Sequence, residues 1–101
     1  MSQPERLDPA AIAVALADLN ARSAAAWQIA ENRLHKAFRF RDFNAAFGFV
    51  TRVALLAEAA NHHPDWCNSY RDVQVHLTTH AVGGLTALDF ALAARIDAVA
   101  D

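Results

Sequence analysis

The sequence predicts an α+β fold, a four-stranded antiparallel sheet with three helices packed on one face, in the order α-β-β-α-β-β-α. Three observations predict it. Apolar residues recur every three to four positions in three separate stretches, the spacing of a buried helix face. Between them, two segments alternate apolar and polar residues, each broken by a short turn, which is the pattern of a hairpin with one buried side. A sheet with one apolar side needs a layer of helices over it. The 101 residues, 54% of them hydrophobic, suit a single domain over 1–101 with one core.

The elements follow in order. Residues 1–7 read as an irregular terminus. Asp8 is an N-cap and Pro9 a first helical residue, opening a helix to about Arg22 whose Ile12, Leu16 and Leu19 face the core. In "AWQIAENRLHKAFRF", Trp27 and Ile29 flank polar Gln28, and a turn falls near Glu31–Arg33. Beyond it Leu34, Phe38 and Phe40 alternate with His35 and Arg39. Asp42 caps the next helix, "FNAAFGFVTRVALLAEAAN", which Pro64 ends. Within Ala45–Ala60 only Gly48, Thr51, Arg52 and Glu58 interrupt its apolar run. We place Phe47, Val50, Ala54 and Ala57 against the sheet and Phe49, Leu56 and Ala60 on the other side. A helix apolar on both sides is covered on both sides, so the sequence predicts a homo-oligomer, dimer or tetramer, through this second helix.

"WCNSY" and "VQVHLTT" form a second hairpin across Arg71-Asp72, with Val73, Val75 and Leu77 inward and Gln74, His76 and Thr78 outward. "AVGGLT" is a loop. Thr86 caps the last helix, in which Leu88, Leu92 and Ile96 repeat along the core side.

The formal net charge of −2 and nine scattered Lys and Arg give no footprint for nucleic acid. The N-terminus shows no basic segment leading into an apolar one. Its apolar run "AAIAVALA" has eight residues, against about 20 for a bilayer span. Cys67, the single cysteine, excludes an internal disulfide, and we read it as strand packing. These features predict a cytoplasmic protein with no membrane partner.

Chemistry concentrates in "NHHPDW", residues 61–66. Adjacent His62 and His63 do little for a core, because neighbouring side chains diverge. They sit at a helix C-terminus, whose carbonyls favour protonated imidazole. Glu58, four residues before His62, is in reach of its ring. His80 stands where the last strand meets the glycine loop, and Asp89 lies in the first turn of the last helix. Histidines near a carboxylate are proton-transfer groups at neutral pH. Glu58, His62, His63, His80 and Asp89 also offer zinc-ligand types. Yet adjacent histidines aim poorly at one ion and no H-E-x-x-H pattern is present, so no metal or other cofactor is assigned.

Glu58, three residues, His62-His63-Pro64, five residues, Tyr70, nine residues, His80, eight residues, Asp89: this series resembles the signature of the pterin-4a-carbinolamine dehydratases. "FRFRDFNAAFGFVTRVALLAEAANHHPDW" and "VQVHLTTHAVGGLTALD" resemble the family nearly throughout. The resemblance implies the same fold and a reaction, loss of water from a 4a-hydroxytetrahydropterin to give a quinonoid dihydropterin, with no cofactor. It implies that His62, His63 and His80 are the active-site histidines, His62 and His80 exchanging protons and His63 holding the ring. It implies that Glu58 and Asp89 orient them or contact polar edges of the ring, and that Pro64 and Thr79, His80, Ala81 and Val82 line the substrate. Trp66 is placed near the pterin, or in the core if its strand parity matches that of Leu77. Members also act as protein-binding or assembly modules through the second helix, which is the alternative reading. Scaffold relatives tend to lose the histidines, and this chain keeps all three.

Overall fold

The computed structural model describes residues 4–23 and 25–100. The elements are α1 (Pro9–Asn20), β1 (Gln28–Ala30), β2 (Arg33–Arg39), α2 (Phe43–Ala60), β3 (Asp65–Ser69), β4 (Asp72–Leu77), a 3-10 turn (His80–Val82) and α3 (Ala87–Ala98). The fold is the α+β arrangement expected from the sequence, with one antiparallel sheet in the order β1-β2-β4-β3.

Each hairpin is set by its turn. Glu31 and Asn32 both have positive φ, 55° and 61°, the backbone of the tight turn whose twist matches its strands. The second turn is Tyr70-Arg71, not Arg71-Asp72, because Asp72 is already paired with Ser69. Tyr70 takes the left-handed conformation (φ 52°), and the Asn68 amide donates to the carbonyls of Tyr70 and Asp72. The hairpins join through β2 and β4, from Leu34 opposite Leu77 to Arg39 opposite Asp72.

The covered face presents Leu34, Phe38, Val73, Val75 and Leu77, all buried. Lys36 lies in the same row and is only 7% exposed. Its ammonium donates to Asp97 on α3 at 2.7 Å and to Ser23 at 2.8 Å, while the Trp27 indole donates to the other Asp97 oxygen at 2.9 Å. A buried cation is tolerable when paired and hydrogen-bonded in this way. Ile29 remains partly exposed because β1 is a short edge strand. Cys67 pairs with Gln74 on the uncovered face and is exposed rather than packed.

The helices depart from the sequence reading in detail. Asp8 caps α1 by accepting from the Ala11 amide at 2.8 Å. The helix stops at Asn20, whose side chain accepts from and donates to the backbone of Trp27. Residues 1–3 of the terminus read as irregular lie outside the described residues. Residues 4–8 have no regular structure but lie over the 79–86 loop: the Leu7 amide donates to the Leu85 carbonyl, and Arg6 sits where a Gly84 side chain would be. On α3 the buried residues are Asp89, Phe90, Leu92, Ala93 and Ile96, and Leu88 is exposed.

On α2 Val50 and Ala57 face the core as expected, but Phe47 and Phe49 exchange places. The buried set is Ala46, Phe49, Val50, Val53 and Ala57, with the Phe49 ring 4.8 Å from that of Phe38 and 4.9 Å from that of Phe40. Phe47, two positions from Phe49, lies roughly 200° around a helix of 3.6 residues per turn and is 53% exposed. Leu56 is half-buried against the core. The outward row is Phe43, Phe47 and Leu55, one turn apart through Thr51. With 18 residues and a mean hydropathy of 1.3, α2 is the one described helix long and apolar enough to cross a membrane. Here one of its stripes is the lid of the sheet.

Candidate active site

The site starts from how α2 ends. Asn61 adopts the left-handed conformation (φ 50°, ψ 42°), its amide donates to the Glu58 carbonyl and the next amide, of His62, donates to that of Ala57. This is the Schellman closure, to which asparagine is suited. It ends the helix three residues before Pro64 and turns His62 out of helical register. The expected Glu58–His62 contact is therefore not made. His62 points at α3 instead, with Nε2 2.6 Å from Asp89 Oδ1. Glu58 binds the next ring, His63 Nε2, also at 2.6 Å. The His62 side chain is 10% exposed and that of His63 is 56% exposed. Pro64 is buried and starts the chain toward β3.

From the other side, β4 runs into Thr79, which pairs with Gly84 across the loop. The loop is a 3-10 turn closed by Gly83 in the left-handed region (φ 65°), where a residue without Cβ is unstrained. His80 opens this turn and is exposed; Ala81 is exposed and Val82 half-buried. Among the described residues the His80 ring has no hydrogen-bond partner, so it is free to meet a ligand. Thr79 itself is 5% exposed, and its hydroxyl is turned inward to Asp89 Oδ2 at 2.8 Å.

Asp89 is where the elements meet. It is fully buried. Oδ1 faces His62, and Oδ2 accepts from the Thr79 hydroxyl and, at 2.9 Å, from the Thr86 amide. With Thr86 it forms the capping box of α3. Nε2 of His62 is taken up by the carboxylate, so Nδ1 is the ring nitrogen left to act on another molecule. The buried Thr86 was read from the sequence only as a helix cap. The spacing of "TALD" shows the capping box, but not that its acid also serves a histidine 27 residues away.

Trp66 is paired with Val75 on the covered face, the parity of Leu77. Its half-exposed ring borders a small apolar hollow with Phe49, Val50, Val53, Val73 and Val75 at the sheet edge. A cleft of about 590 Å³ lies elsewhere, where β2 ends and α2 begins, lined by Arg39, Arg41, Asn44 and Arg52. It contains none of the proton-transfer groups. Among the described residues no three His, Cys, Asp or Glu side chains are arranged to hold a metal ion.

The sequence model of one protein family, described as pterin 4 alpha carbinolamine dehydratase, matches residues 5–99. A Bradyrhizobium sp. (strain ORS 278) protein, provisionally named a pterin-4-alpha-carbinolamine dehydratase, is 51% identical over 98 residues, covering 95% of this chain and 93% of its own. A Sinorhizobium fredii protein with the same provisional name is 49% identical over 100 residues, covering 97% and 90%. Among solved structures, a transcriptional coactivator/pterin dehydratase from Brucella melitensis superposes with a TM-score of 0.87 at 37% identity, covering 96% of this chain and all of that one. A pterin dehydratase-like protein identified as a RuBisCO assembly factor in the alpha-carboxysome superposes with a TM-score of 0.62 at 27% identity, covering 73% and 86%.

Proposed function

The chain belongs to the pterin 4 alpha carbinolamine dehydratase family, and on that premise we propose that it converts a 4a-hydroxytetrahydropterin to quinonoid dihydropterin and water, one step in recycling the pterin of aromatic amino acid hydroxylases. The observation that carries this reading is the convergence of His62 and the Thr79–His80 strand end on one buried carboxylate, Asp89.

The chemistry asks for little else. The N5 lone pair of the ring forms the C4a=N5 bond as the C4a–O bond breaks. An acid protonates the departing hydroxyl, and a base takes the N5 proton, so one water leaves. His62, with Nε2–H committed to Asp89, presents Nδ1 in a fixed direction. His80, exposed at the start of the 3-10 turn, supplies a second ring. The pair divides the acid and base roles between the C4a hydroxyl and N5. His63, half in solvent and steered by Glu58, holds the flat ring. Pro64, Ala81 and Val82 complete the lining, and Thr79 contributes through Asp89.

The test is an absorbance assay of quinonoid dihydropterin formation from freshly generated carbinolamine. Purified protein is expected to exceed the spontaneous rate near neutral pH, before and after exhaustive chelation. Folded protein that leaves the spontaneous rate unchanged refutes the reading.

A second reading has its own support. Phe43, Phe47 and Leu55 form an exposed apolar row on α2, and one structural neighbour is an assembly factor. This row serves self-association into a dimer or tetramer in the first reading. In the second it binds a foreign protein. The two readings separate on whether the activity is present.

A further inference from the structure

With Asp89 taken as a carboxylate, the hydrogens around it have one consistent arrangement. Leu88 N–H can only donate, and it donates to Thr86 Oγ1 at 3.2 Å. Asp89 Oδ2 already accepts from the Thr86 amide, so it also accepts from Thr79, whose hydroxyl lies 2.8 Å away. The Thr79 proton is thereby used. The remaining contact, Thr79 Oγ1 to Thr86 Oγ1 at 2.8 Å, then requires Thr86 to donate. The chain runs one way: Leu88 N–H to Thr86, Thr86 O–H to Thr79, Thr79 O–H to Asp89. Thr86 and Asp89 are 0% exposed and Thr79 5%, so water cannot replace a missing member.

We infer that Thr86 and Thr79 form a directed hydroxyl relay that holds Asp89 as a hydrogen-bond acceptor and thereby fixes His62 as the Nε2–H tautomer, with Nδ1 turned to the substrate. Two donors occupy Oδ2. They also hold its plane, leaving Oδ1 nothing to do but accept from His62. If Asp89 carried a proton, that proton would sit on Oδ1, His62 Nε2 would be the acceptor, and the hydrogen would move to Nδ1. That ring could no longer accept a proton from the substrate. Both threonines are positioning residues: neither reaches a reacting atom. Thr79, whose hydroxyl touches the carboxylate, matters more than the Thr86 hydroxyl, which reaches it only through Thr79.

The kinetic part of this inference rests on the dehydratase reading, and the tautomer part does not. In wild-type protein, 15N NMR of the His62 ring near neutral pH is expected to show the Nε2–H form. A neutral ring protonated at Nδ1 overturns the relay without any variant. Thr79→Val, which keeps shape and removes the donor, is expected to give mixed tautomers and a kcat lower by roughly 10- to 100-fold, a smaller loss than for deleting an orienting carboxylate. KM stays within about twofold, as for an interaction made mainly in the transition state. Thr79→Ser is expected to restore both readouts, and Thr86→Val to fall between. Thr79→Val with a single Nε2–H tautomer and wild-type kcat refutes the relay. Tautomers that respond as stated in a protein that dehydrates nothing leave the relay standing and remove the dehydratase reading instead.

Discussion

His62 Nε2 and Asp89 Oδ1 lie 2.6 Å apart, joining the end of α2 to the first turn of α3 across 27 residues of chain. One oxygen of Asp89 thus orients a ring while the other helps cap a helix. Asp89→Asn separates these tasks, because the amide keeps its size and can turn its oxygen toward only one of them. We expect kcat to fall by about 10²–10⁴-fold, the range for losing a positioned acid–base group or its orienting carboxylate, with the fold retained by circular dichroism. Activity within twofold of wild type would show that His62 does not need this partner.

The three histidines are expected to separate kinetically. His62→Ala and His80→Ala lower kcat by up to about 10²–10⁴-fold if each works alone, less if the second ring substitutes. His63 is more exposed and hydrogen-bonded only to surface Glu58, so His63→Ala mainly raises KM. Steady-state kinetics on the three variants decide this, and a pure kcat effect at His63 reverses the assignment.

Self-association is expected to depend on the outward row of α2. Phe47 and Leu55 are 53% and 68% exposed, and burying such side chains is worth about 1.5–3 kcal/mol each. Light scattering should show a wild-type oligomer and a smaller species for Leu55→Glu. Leu56→Glu would instead disturb the core margin and lower stability. A monomeric wild type at tens of micromolar leaves the row to another partner.

Acid sensitivity is built into the uncovered face of the sheet. His76 and His35 are cross-strand neighbours with rings stacked 4.5 Å apart. The His76 pKa is lowered below its ordinary 6.5 by burial first, then by Arg33 and His35, against weaker opposition from Asp65 and Glu31. As pH falls through the ordinary range, the unfolded chain therefore takes up a proton that the folded chain refuses. Stability drops until the folded pKa is passed and is regained on going back up. Urea midpoints measured from pH 7.5 to 5 should fall more steeply for wild type than for His76→Gln. Equal slopes would exclude the pair as the cause.

The Lys36–Asp97 pair predicts an asymmetric result. Asp97→Ala strands a buried ammonium and is expected to cost about 3–5 kcal/mol, whereas replacing both partners with apolar residues of similar size costs far less. Chemical denaturation of the single and double variants measures the difference. An Asp97→Ala protein as stable as wild type would mean that Lys36 escapes to solvent.

Much of this architecture is legible in the residues. Asp8, Asp42 and Thr86 mark three helix starts, and Val73, Val75 and Leu77 mark a buried strand face, because caps and alternation are local. The failures are long-range. Phe47 and Phe49 are the same residue type on a helix apolar all round, and only the aromatic neighbours Phe38 and Phe40 choose between them. Lys36 reads as polar until Asp97 arrives from the far end of the chain. Glu58 and His62 have ideal helical spacing, but Asn61 breaks the helix between them. The candidate site residues stand out by their spacing; their pairing does not, because it is set by how α2 terminates.

The strand order carries a further consequence, for the path by which the chain folds. The outer pairs β1-β2 and β3-β4 are hairpins that form within a few residues, each marginal alone. The seam between them joins Leu34 to Leu77, and the whole of α2 must be enclosed before it closes. Sequence-distant pairing of this kind slows folding, because the loop entropy is lost before the contacts are gained. The same seam ends at Leu77, two residues before Thr79. Until β2 and β4 have zipped together, Thr79 has no fixed place beside Asp89, so the site is among the last parts of the molecule to come into being.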